Sequence, residues 1–214
     1  MKATALRVVT GLALAGGLLL PPLRHALESS MSLHMLVQYP ALLLAGALLG
    51  AAVPCTMQRR LAAWNVLGIS GLAACTLVLA VAMIPRVLDL ALVDMRVEAV
   101  KVGALLLAGA MLLPSWRAAG LIVQGFFLGN VLPMTAIIGT LYADSPLRLC
   151  NAYRLDDQRQ LGQALVWIAI AIALAWLARA GRRLMSEPPP SAGAGDEAPP
   201  TTRPPRAASA RRAT

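Results

Sequence analysis

A bilayer's hydrocarbon core, about 30 Å thick, admits a chain only as helices of about 20 apolar residues or as a closed barrel, since it holds no water for free backbone groups. This chain carries six apolar stretches, at about residues 5–23, 32–53, 64–84, 96–114, 119–142 and 163–180. They are rich in Ala, Leu and Gly and lack the alternation of barrel strands, which predicts an all-α fold, a polytopic transmembrane helix bundle of about six spans. Hydrophobic residues make up 58% of the 214 and charged ones 14%, which leaves no room for a sizeable aqueous domain. Residues 1–184 form the expected membrane domain. Residues 185–214, dense in Pro, Ala, Ser, Thr and Arg, have too few large apolar side chains to fold and are expected to be a disordered basic tail.

The first stretch has a second reading. Lys2 and Arg7 followed by Val8–Leu20 resemble a secretory signal, but Pro21-Pro22-Leu23-Arg24 is a poor cleavage site, and an uncleaved helix is the expectation. Charge sets the direction. With the N-terminus inside, Arg59, Arg60, Arg117 and the basic tail fall in the cytoplasm, while Glu28, Asp89, Asp94, Glu98, Asp144, Asp156 and Asp157 fall outside. The expected location is thus a bacterial inner membrane, crossed an even number of times, with both termini cytoplasmic. The net charge of +9 then reflects topology and an anionic leaflet; no basic helix with interleaved aromatics argues for nucleic acid.

Chemistry enters the apolar segments at one place, the run from Glu28 to Pro40. On a helix, Glu28, Met31, His34, Met35 and Gln38 share a sector of about 120°, and Pro40, which has no N–H, allows a kink beside them. The expected topology brings further polar and soft groups to the same outer end: Asp94, Met95, Glu98 and Lys101 from span four, Asn130 and Met134 from span five. Thioethers with one imidazole suit copper(I), so Met31, His34 and Met35 are the candidate metal ligands, with the other residues as supporting groups. The plainer reading is that methionine fills gaps in apolar helices and that His34 is satisfied by Glu28 or Asn130. Glu98 and Lys101, three residues apart, read first as a salt bridge near a helix start. Cys55, Cys75 and Cys150 form no C-x-x-C pair, and Cys150 reads as incidental before reactive.

The run Glu28-Ser-Ser-Met-Ser-Leu-His-Met-Leu-Val-Gln-Tyr-Pro-Ala-Leu-Leu-Leu-Ala-Gly46 resembles the His-Met-x-x-His helix of the CtaG-type cytochrome c oxidase assembly proteins. His34 and Met35 match the motif, and Gln38 stands in place of its second histidine. The resemblance implies an accessory factor that handles copper at the outer face, with a respiratory oxidase subunit or a copper chaperone as partner. A competing reading comes from symmetry. Pro40 and Gly46 in span two, and Pro133 and Gly139 in span five, share a six-residue spacing in two three-span halves, as in transporters built on broken helices. The chain has no H-E-x-x-H, G-x-S-x-G or phosphate loop, so it is not expected to be an enzyme.

Overall fold

The computed structural model describes residues 2–186, and all regular structure in them is helical. Five helices are long and apolar enough to cross a membrane, and a pair bent by 65°, the second member of which is Val66–Ala82, brings the number to as many as six. The chain is an integral membrane protein. Helix α1 (Lys2–Leu19) is followed at Pro21 by a separate short helix, α2 (Pro21–Glu28), so the first span ends before the expected residue 23. Span two comprises α3 (Met31–Leu33), a π-helical segment His34–Gln38 and α4 (Tyr39–Gly50). After α5 (Cys55–Trp64), a 3₁₀ turn (Val66–Gly68) leads into α6 (Ile69–Ala82), the third crossing. Helix α7 (Pro85–Val93) precedes the last three spans, α8 (Met95–Ala118), α9 (Leu121–Asp144) and α10 (Leu155–Ser186). The expected tail lies outside the described residues except for Met185 and Ser186, which complete α10.

Glycine sets two of the tightest contacts. Gly46 and Gly50 on α4 face α8, where a Cβ on Gly46 would collide with the backbone of Leu106; reciprocally, one on Gly109 would collide with that of Leu43. The missing side chains let the two backbones meet. Gly139 and Gly162 act likewise between α9 and α10. The principal pairings are α1 with α4, α4 with α8, α8 with α6, α6 with α9 and α9 with α10. Exchanging the two three-span halves would map the α4–α8 pairing onto α9 with α1, which is not among them. Helix α9 also runs unbroken through Pro133, whereas span two is interrupted.

Charge divides the ends of the bundle. One end holds Lys2, Arg7, Arg59, Arg60, Arg117 and the Arg179–Arg183 turn, with no acidic residue among those described; the other holds every described carboxylate. Arg7 reaches the carbonyl of Ala51 at 3.4 Å, which fixes the N-terminal end of α1 beside the C-terminal end of α4.

Candidate functional site

The polar cluster begins with an irregularity in span two. Pro40 has no N–H to offer the carbonyl of Leu36, and the five residues before Tyr39 wind as a π-helix. In such a wide turn, Gln38 comes to lie almost directly one turn beyond His34, on the same face. Both side chains are fully buried, as is Met31, and Met35 nearly so. The continuous helix expected over Glu28–Gln38 is not formed. Helix α2 ends at Glu28, whose carboxylate pairs with Arg24 at 2.8 Å instead of reaching His34. That pairing raises the Arg24 pKa above its ordinary value, chiefly through the hydrogen bond to Glu28.

Span four supplies the partner of His34. The amino group of Lys101 lies 3.0 Å from His34 Nε2 and 2.6 Å from Glu98 Oε2. Both charged side chains are almost wholly buried, Glu98 at 2% and Lys101 at 5% exposure. The ammonium also stands 5.7 Å from the centre of the Tyr39 ring, within cation–π range. Since an ammonium only donates, His34 Nε2 accepts from Lys101, and the ring hydrogen sits on Nδ1, which donates to the Tyr153 oxygen at 2.7 Å. His34 is neutral in this arrangement. The Glu98 oxygens lack a well-aligned hydrogen-bond donor despite the close ion pair, and neither polar atom of Gln38 has a partner. Unpaired groups at this depth are costly, each by about 1–3 kcal/mol.

Tyr153 comes from the loop before α10, and hydrogen bonds of Gln158 and Asp89 place it. Gln158 donates to the carbonyls of Tyr142 and Leu147 and accepts from the N–H of Leu149. Asp89 on α7 accepts from the backbone and side-chain N–H groups of Asn151. The loop is thereby tied at both ends, and Tyr153 is buried against His34 with the two rings edge to face. Burial first, and the charge of Glu28 next, push the Tyr153 phenol above its ordinary pKa, so it remains O–H at neutral pH. Cys150 in the same loop is buried, and its thiol is pushed up to about 12, mainly by that burial, which leaves it protonated and unreactive near neutrality.

Of the expected residues, the structure joins His34, Glu98 and Lys101, while Gln38, Met31 and Met35 are buried on the same span as His34. Asp94 is spent on capping α8, where it accepts from the N–H of Arg96 at 2.8 Å. Met95 is 72% exposed, against the Arg24 guanidinium. Asn130 is exposed and bonded within its own helix to the Phe126 carbonyl, and Met134 lies on the same helix, α9, which packs mainly on α10 and α6. Tyr39 and Tyr153 complete the cluster; the sequence marks them only as amphipathic rings, Tyr39 beside the proline and Tyr153 near a span limit.

No family model, curated protein or solved structure matches this chain. The site must therefore be judged by its own donors. To ligate copper(I), His34 would need its free imidazole lone pair, and that lone pair accepts from the Lys101 ammonium. Gln38 offers an amide, a poor ligand for this soft ion. Among the described residues, no group of three His, Cys, Asp or Glu side chains is placed to hold a metal. With Lys101 in position, His34 is not free to join Met31 and Met35 as a ligand to copper(I).

Proposed function

We propose that the protein exchanges a small monovalent cation for a proton at the Glu98–Lys101–His34 cluster, as an ion transporter of a bacterial inner membrane with its acidic end outside. The observation that carries this reading is the setting of Lys101: a carboxylate, an imidazole lone pair and an aromatic face converge on one buried ammonium. Those are the groups that stabilise any small cation, and Lys101 is the resting occupant. An incoming cation would take its place beside Glu98 as Lys101 gives up one proton to water, leaving a neutral amine and no net change in buried charge. The Glu98 carboxylate is the charged donor that remains, and its oxygens favour a hard alkali ion such as sodium. Ionisable groups inside membrane helices commonly mark such pathways.

The accessory-factor reading, copper for a respiratory oxidase, draws on Met31 and Met35 beside His34 and would require Lys101 to be displaced. Proteoliposomes carrying an internal pH dye separate the two. Sodium or potassium pulses should drive proton movement in wild type and not in Glu98→Gln. No proton movement with any alkali ion, together with copper(I) retention that Met31→Leu and His34→Ala both abolish, would overturn exchange in favour of copper handling.

A further inference from the structure

We infer that α5 is an interfacial helix that binds the anionic phospholipid headgroups of the leaflet at the basic end of the bundle. Every described side chain from Thr56 to Trp64 is exposed, so α5 buries nothing in its own protein. Yet the helix is amphipathic. Met57, Leu61 and Trp64 fall within about 60° of one another at 100° per residue, and they are 49%, 58% and 87% exposed. Arg60 flanks this stripe, as a side chain snorkelling to phosphates would, and Arg59 adds charge on the opposite face.

The direction of α5 is built into the fold. It leaves the axis of the following segment at 65°, near the angle that lays a helix along a surface when its neighbour spans the bilayer. The elbow is held by Asn65, whose side chain donates to the Ser115 hydroxyl at 2.8 Å and accepts from the N–H of Gly71 at 2.9 Å. Leu67 and Gly68 take positive φ values of 55° and 73°, and a Cβ on Gly68 would strike the Ser115 carbonyl. A non-glycine residue held in that region is strained by roughly 1–2 kcal/mol, which a frayed span end would not retain. Charge complementarity selects the occupant. The charged side chains at the end of the bundle that carries α5 are all basic among the described residues, including Arg117 and the Arg179–Arg183 turn, and an anionic lipid surface is their complement.

The test uses the full chain in nanodiscs, with a nitroxide placed in turn at each of residues 56–63 in a Cys55→Ser background; Cys75 and Cys150 are buried. In phosphatidylglycerol-containing discs, oxygen accessibility should peak at 57 and 61 and water-soluble quencher accessibility on the opposite face. The Arg59→Gln/Arg60→Gln variant should lose preference for phosphatidylglycerol over phosphatidylcholine by roughly fivefold per arginine. Uniform water access along α5, immobilisation that depends on protein concentration and so reports a second copy, or unchanged lipid preference in the double variant would each overturn the assignment.

Discussion

Replacing Gly46 by Val should abolish recovery of folded protein, and Gly46→Ala should lower the melting temperature in detergent sharply. Any Cβ at this position meets the backbone of Leu106, which cannot turn aside as a flexible side chain would. Overpacking of a close contact costs about 1–3 kcal/mol, and here the α4–α8 interface that joins His34 to Lys101 must open to relieve it. Gly103→Ala is the control: nothing lies within 4 Å of the added methyl, and the helix gains the propensity of alanine. A Gly46→Ala protein as stable as Gly103→Ala would mean that α4 and α8 are not in backbone contact.

The second large effect belongs to the ion pair. Glu98→Gln keeps the shape of the side chain but leaves the Lys101 ammonium buried without a counter-charge, and breaking such a pair from one side costs about 3–5 kcal/mol. Lys101→Met with Glu98→Gln removes both charges and should regain most of that loss. Thermal unfolding of the two single variants and the double variant forms a cycle that isolates the pair. If the single and double variants melt alike, the two groups do not hold each other's charge inside the bundle.

The spans were legible because hydropathy over twenty residues is a strong signal, and the segments from Met31, Met95 and Leu121 begin within a few residues of where the apolar runs place them. The interruptions were less so. The elbow at residues 65–68 contains no proline, and its geometry depends on Ser115, fifty residues away, contacting Asn65. Of the site, His34, Gln38, Glu98 and Lys101 could be found because polar groups stand out in apolar segments. Which of them meet is decided by helix pairing, and periodicity says nothing of that; Asn130 and Met134 sit on a helix that packs on α6 and α10. Tyr153 was invisible for another reason. It reaches His34 from a loop whose course is set by Asp89 and Gln158. The matching prolines of spans two and five likewise proved unequal, since only Pro40 adjoins a change in helix type.

Proton counting on cation binding tests the central claim most directly. Calorimetric titration of the detergent-purified protein with sodium, in two buffers of different ionisation enthalpy, gives the number of protons released per cation bound. Exchange at Lys101 predicts one proton released per sodium ion and an affinity that falls about tenfold for each pH unit of acidification, because the proton competes for the same place. In the double variant Glu98→Gln/Lys101→Met, which has neither proton site, any binding that survives should release none. Sodium binding without proton release in wild type, or no alkali-ion binding at any pH, would contradict the account.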